Sequence, residues 1–160
     1  MKLAFYRAAK GTLFSKLIAW FTRPGGYSHV ELVFPEWSGA FPPDMDIREH
    51  DAGGTLCFSS AENDGGTRFK ILDLNDGKWD FAPIALDYAK ALAWCIRHQH
   101  LAYDWRGLRG FVFPWEKPDP KDLFCSECAI ECSQDQQLFL QLVAGKTSPN
   151  TLARAVGLLT

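Results

Sequence analysis

The side chains in this 160-residue chain best suited to nucleophilic or metal chemistry are five cysteines and four histidines. Cys125, Cys128 and Cys132 stand at i, i+3 and i+7, which on a helix puts all three on one face. Cys128 and Cys132 fit small apolar residues packed inward, as do Cys57 and Cys95, because buried free cysteine is common. Cys125 differs. It falls in the first turn of a helix predicted over Leu123 to Cys132, with Asp122 as its N-cap. There the backbone N–H groups and the helix dipole favour a thiolate, and the same donors can bind a developing oxyanion. A cysteine nucleophile also needs a base. His98 and His100 lie at the end of a long predicted helix and fit solvated or capping positions, and His50 lies in a polar stretch. His29 follows Gly25-Gly26-Tyr27-Ser28 and opens a predicted strand, where a fixed backbone lets the ring lean over the sheet edge.

A zinc site is an alternative use of the same residues, since Cys125-x-x-Cys128 and His98-x-His100 supply the ligand types. Structural zinc pairs sit on tight knuckle turns. These cysteines fall in a helical, apolar stretch, so no metal and no cofactor is expected.

The elements that must position these groups are mixed. Strands are predicted at Leu3 to Arg7, His29 to Phe34, Thr55 to Ser60 and Thr67 to Leu72, with Asp64-Gly65-Gly66 as a hairpin turn between the last two. Helical spacing marks Thr12 to Phe21, Ile84 to Arg97 with Pro83 at its start, and Leu123 to Cys132. Ser148-Pro149-Asn150 signals the start of a last helix over Thr151 to Val156. Pro35 to Gly54 is a Pro-, Gly- and Asp-rich surface excursion and a candidate substrate wall. Tyr103 to Pro120 is an aromatic connection. A strand, a helix, several strands and then helices predict one α+β domain over 1–160, with a small, mainly antiparallel sheet.

Composition excludes several classes. At 47% hydrophobic and 22% charged residues the chain is too apolar to be disordered. No run of about 20 apolar residues exists to span a membrane. Arg106, Arg109 and Lys117 lie among Trp105, Phe111, Phe113 and Trp115, a pattern that can bind single strands. A net charge of −2 gives no general electrostatic footprint for nucleic acid, so no nucleic-acid partner is expected. The same aromatic loop could line an apolar acyl or peptide pocket. The N-terminal residues lack the long apolar core of a signal peptide. Cytoplasmic synthesis with reduced thiols is therefore expected, and an odd cysteine count leaves at least one thiol free.

Tyr27-Ser28-His29-Val30-Glu31-Leu32-Val33 and Phe124-Cys125-Ser126-Glu127 together resemble the circularly permuted branch of the NlpC/P60 papain-like superfamily. This branch includes YiiX-type proteins and the lecithin:retinol acyltransferase relatives. In it the histidine strand precedes the cysteine helix, as His29 precedes Cys125. The amphipathic N-terminal stretch, Tyr103-Asp104-Trp105 and Pro149-Asn150-Thr151-Leu152 also fit, so the resemblance extends over most of the chain. The lack of a signal peptide and of a cell-wall-binding module is similar to the short versions carried by bacteriophages, which would be released or virion-associated.

The resemblance implies a permuted papain-like fold and a cysteine hydrolase acting through a thioester, with Cys125 as nucleophile and His29 as base. In the family a third polar residue, which orients the imidazole, lies on the strand after the histidine strand. That match gives Ser59, with Ser60 and Glu62 close by. A serine hydroxyl is a weaker orienter than the carboxylate, histidine or amide usual there. Glu31 faces the same side as His29 and is a further candidate, or else a partly solvated residue that sets the local charge. Tyr103 could bring its hydroxyl to the cysteine or be an aromatic core residue. Tyr27 is a candidate binding residue, and Glu127 suits the helix dipole as a structural charge. The implied substrates are peptide, peptidoglycan or acyl (lipid ester) compounds. The alternatives are a non-catalytic binding module on the same fold and a lipid acyltransferase or esterase. Nothing in the residues sets an oligomeric state.

Overall fold

The computed structural model describes residues 1–10, 26–35, 42–50, 53–111, 113, 115, 119 and 121–159. The helix predicted over Thr12 to Phe21 and residue Lys117 lie outside them. The chain is α+β. Six strands, β1 (Lys2–Arg7), β2 (Tyr27–Phe34), β3 (Ile47–His50), β4 (Thr55–Ala61), β5 (Gly66–Leu72) and β6 (Trp79–Pro83), form one open sheet. Their order is β3-β5-β4-β2-β1-β6. All described pairings are antiparallel except β3 with β5. Among the described residues four helices accompany them: α1 (Tyr88–Arg97), α2 (Trp105–Gly110), α3 (Cys125–Gln134) and α4 (Pro149–Ala155).

Alternation along the strands sorts side chains to the two faces. Val30, Leu32 and Phe34 of β2 join Phe58 of β4 and Phe69 of β5 in the main core, which α1, α3 and α4 complete with Trp94, Ile130 and Leu152. Helix α3 packs on β2 and β4, α4 packs on β2, and α1 packs on α3. A smaller cluster of Ala4, Val33, Cys57 and Leu74 forms the second apolar patch.

Helix ends explain where the elements start. Asp87 caps α1, accepting from the Lys90 N–H at 2.9 Å, and Ser148 caps α4, accepting from the Thr151 N–H at 3.2 Å. The expected start of α1 at Ile84 is therefore corrected. Pro83 closes β6, and the helix waits for the first residue with a capping carboxylate. Gly65, at φ 74°, makes the turn into β5.

β3, β6 and α2 were not among the expected elements. β3 is a polar edge segment, Ile-Arg-Glu-His, inside the surface excursion, and β6 pairs at the other edge with only Ala82 buried. Neither carries the apolar run that marks an inner strand. Helix α2 has only six residues but begins at a capping Asp104, whose carboxylate accepts from the Gly107 N–H at 2.8 Å.

The Phe58 ring is fully buried, 4.8 Å from Phe69 and 6.3 Å from Trp94 between ring centroids. Phe58→Ala is expected to cost about 3–5 kcal/mol of stability, read as a lower denaturation midpoint at unchanged slope.

Candidate active site

Cys125 is the first residue of α3, two residues nearer the helix start than a beginning at Leu123 would make it. The N-cap is Phe124, in an extended conformation, and not Asp122. Phe124 has no polar side chain, so the capping partner comes from within the helix. The Glu127 carboxyl accepts from the Phe124 N–H at 3.3 Å. Leu123, just before the cap, is held from two sides. Its N–H donates to the Ala102 carbonyl at 3.1 Å, and its own carbonyl accepts from the Asp104 N–H at 3.2 Å and from the Ser60 hydroxyl. These bonds fix the helix start against β4 and the 102–104 segment. Cys125 is 5% exposed, whereas Cys57, Cys95, Cys128 and Cys132 are at most 1% exposed. It is the most accessible of the five thiols.

His29 is the third residue of β2, not its first. The register of β1 with β2 shifts between Tyr6, opposite His29, and Arg7, opposite Tyr27, so Ser28 is an extra residue. Such a bulge re-aims the side chain that follows it. The His29 side chain is 21% exposed, and its Nε2 lies 2.7 Å from Oε1 of Glu31. With Nε2 given to Glu31, Nδ1 is the ring nitrogen left for a second partner. Burial works against the imidazolium. The charge of Cys125, a hydrogen bond with it, and the hydrogen bond and charge of Glu31 outweigh that effect and raise His29 to about 9.

Glu31 is fully buried, not partly solvated. Both of its oxygens are used. Oε1 takes His29 Nε2 and Arg68 Nη2, each at 2.7 Å, and Oε2 accepts from Arg68 Nη1 at 3.0 Å. Burial alone would raise this carboxyl, but Arg68 and His29 pull it down to about 2. Behind Arg68, its Nε donates to Asp64 Oδ2 at 2.6 Å, and Lys70 Nζ lies 3.0 Å from Asp64 Oδ1. The groups Cys125, His29, Glu31, Arg68, Asp64 and Lys70 thus form one continuous row.

The other candidate residues take different places. The Ser59 hydroxyl donates to the Val30 carbonyl at 2.7 Å, and the Ser60 hydroxyl to the Leu123 carbonyl, so both serve the backbone. Glu62 is exposed, in the 3₁₀ turn Glu62–Asp64, and its charge bears on Tyr103. Tyr103, bridged to Leu123, stands near Cys125. Its burial first, then the charges of Cys125, Glu62 and Asp104, hold its hydroxyl protonated well above the ordinary tyrosine range. Trp105 packs edge-on against it at 5.2 Å and is 46% exposed, which makes an aromatic wall beside Cys125. Tyr27 is turned elsewhere. Its hydroxyl donates to Asp80 Oδ2 at 2.7 Å, and burial and that bond push it up to about 12. His98 caps α1, with Nδ1 2.7 Å from the Trp94 carbonyl and its ring stacked on Trp94. Among the described residues, no group of three or more His, Cys, Asp and Glu is placed to hold a metal ion. No described helix is long and apolar enough to cross a membrane. No family model, no curated protein and no solved structure matches the chain.

Arg68 and Lys70 are the members of the row that sequence reasoning missed, and Arg68 is the one in contact with Glu31. Its signal was a charged residue within the Thr67 to Leu72 strand, which reads as an ordinary solvated position until the register with β4 and β2 is known. Glu127 also departs from expectation. Burial pushes its carboxyl up to about 8, so it is not a standing charge serving the helix dipole.

Three consequences can be measured. Glu31→Gln is expected to lower the His29 titration from about 9, followed by imidazole NMR, and to cost several kcal/mol by removing the buried one of the two carboxylates paired with Arg68. Ser59→Ala is expected to leave that titration unchanged and to cost about 1 kcal/mol for one hydrogen bond. For Glu127 the folded value lies above the ordinary 4.5. Stability tied to it is therefore complete below pH 4.5 and is lost as pH rises through about 8. Glu127→Gln keeps an acceptor for Phe124 and removes the charge. Denaturation midpoints across this range should match the parent chain in acid and exceed it above pH 8.

Proposed function

We propose that the chain is a cysteine hydrolase of permuted papain-like fold that cleaves an amide or ester bond through a thioester. The observation that carries this reading is the His29 ring set between Glu31, at 2.7 Å, and Cys125, the first residue of a helix. The raised His29 value favours a protonated ring beside Cys125, ready to give its proton to a leaving group. Glu31 takes the orienting role, which Ser59 and Glu62 do not reach in this arrangement.

The reaction then runs in two halves. Cys125 Sγ attacks the carbonyl carbon, and the developing oxyanion is held by the Cys125 N–H at the helix start. The C–N or C–O bond breaks as the His29 proton passes to the leaving amine or alcohol. A water then gives its proton to His29 and attacks the thioester carbonyl. The carboxylic product leaves, and the thiolate and imidazolium are restored. No cofactor enters these steps. Tyr103 and Trp105 would border the substrate on the nucleophile's side, which suits a peptide, peptidoglycan or acyl group with an apolar portion.

Alkylation tests the reading directly. A small electrophile at neutral pH is expected to modify Cys125 ahead of the other four thiols, with the rate falling about tenfold or more in His29→Ala. Mass mapping of the alkylated peptides gives the site. Labelling of Cys125 at the rate of an ordinary thiol, unaffected by His29→Ala, would remove the hydrolase reading and leave a binding module on this fold. Against a peptide, peptidoglycan or ester substrate that the chain is found to cleave, Cys125→Ala is expected to abolish turnover.

A further inference from the structure

We infer that Arg68 is a positioning residue for this reaction, clamping the Glu31 carboxylate in the one orientation that presents Oε1 to His29 Nε2. The inference rests on the hydrolase reading above and adds to it a residue two strands away from the histidine. Glu31 is on β2 and Arg68 on β5, with β4 between them. Arg68 pairs across the ladder with Ser59 of β4, and its side chain crosses that strand to reach Glu31.

The geometry is that of a clamp. A guanidinium is a planar fork whose two terminal nitrogens match the two oxygens of a carboxylate, so the bidentate contact fixes the carboxylate plane as well as its distance. Arg68 is itself 3% exposed and held from behind, with Nε on Asp64 and Lys70 neutralising Asp64. The fork therefore cannot swing. A carboxylate gripped this way offers its remaining lone pair on Oε1 in one direction, where His29 Nε2 lies. A buried ion pair is a weak source of stability compared with apolar side chains of similar size. Its place here is better explained by what it orients.

The cation also sets when Glu31 is a carboxylate. The charged and titratable groups around Glu31 are His29 on its own strand, Arg68 from β5, the Cys57 thiol from β4, and Cys125 of α3 through His29. Asp64 and Lys70 stand behind Arg68, and Ala4, opposite on β1, carries no charge. Arg68 is the strongest of the influences that keep Glu31 ionised against burial. Without it, Glu31 takes up a proton at higher pH and the imidazole loses its fixed acceptor.

The test is the pH profile of Cys125 alkylation by iodoacetamide in the full chain, for the parent, Arg68→Met, Arg68→Lys and His29→Ala. Arg68→Met is expected to slow alkylation at pH 7 about tenfold and to move the acid limb up by about one pH unit or more. Arg68→Lys keeps the charge but not the fork. Its acid limb should stay near the parent's while the rate falls several-fold. A folded Arg68→Met with the parent's rate and limb would overturn the proposal. Should Arg68→Met not fold, Arg68→Lys decides: a reduced rate at an unchanged limb supports the clamp, and the parent's rate overturns it. His29→Ala separates the two levels. If the parent reacts no faster than His29→Ala, the hydrolase reading fails and the role of Arg68 falls with it. If the parent reacts faster and the Arg68 variants match it, only the clamp is wrong.

Discussion

A carboxylate with no exposed surface must either give up its charge or be surrounded by donors, because an unpaired buried anion costs several kcal/mol or more. Glu31 is in that position, and its neighbours follow from the requirement. Its two oxygens take three contacts, two from Arg68 and one from His29. Arg68, buried as well, needs a second anion, and Asp64 supplies it. Asp64 in turn draws in Lys70. Each group is placed by the charge demand of the one before it. On the other side of Glu31 stands His29, whose side chain keeps a partly exposed edge and which neighbours Cys125.

The sheet makes this row possible. β2 lies between β4 and β1, so Glu31 has strands on both sides, and the strand order puts β5 within reach of an arginine but not of a shorter side chain. The bulge at Ser28 lies immediately before His29, and Tyr27 turns its hydroxyl to Asp80 on the other side of the bulge. One extra residue thus divides the start of β2 into a structural half and a chemical half. The helix side is fixed independently. Leu123 is bonded to Ala102, Asp104 and Ser60, which ties the start of α3 to β4, and β4 neighbours the histidine strand. The start of the Cys125 helix and the His29 strand are thus fixed by two separate sets of backbone restraints.

Much of this was legible in the residues. The inner strands announce themselves by apolar runs, and β1, β2, β4 and β5 fall within two residues of the expected limits. The hairpin at Gly65 and the cap at Ser148 are local chemistry, readable without a fold. The edge strands β3 and β6 are not, because a strand with one neighbour and a wet face needs no apolar pattern. The start of α1 was misplaced because Pro83 satisfies a helix-start rule and a strand-end rule equally well. At the site, His29 and Cys125 could be picked out by type and by position on their elements. Glu31 could be named only as a neighbour of His29. Its burial and its pairing with Arg68 depend on the order of strands in the sheet, which no local pattern carries.

In the proposed hydrolase, the choice of orienting residue follows from the same constraint. An orienter must hold one geometry through each proton transfer, and a lone serine hydroxyl rotates freely unless something stops it. Ser59 is stopped by the Val30 carbonyl and is thereby spent. Glu62 is exposed at a turn and would lose side-chain entropy to reach inward. Glu31 loses nothing further, because Arg68 has already immobilised it. Its negative charge also does what a hydroxyl cannot, since it favours the protonated ring while the thiol is in its anionic form. Histidine at a strand position two residues before a buried, arginine-held glutamate is therefore a stronger arrangement for thiol chemistry than the serine that strand matching pointed to. Its strength comes from Arg68, two strands away.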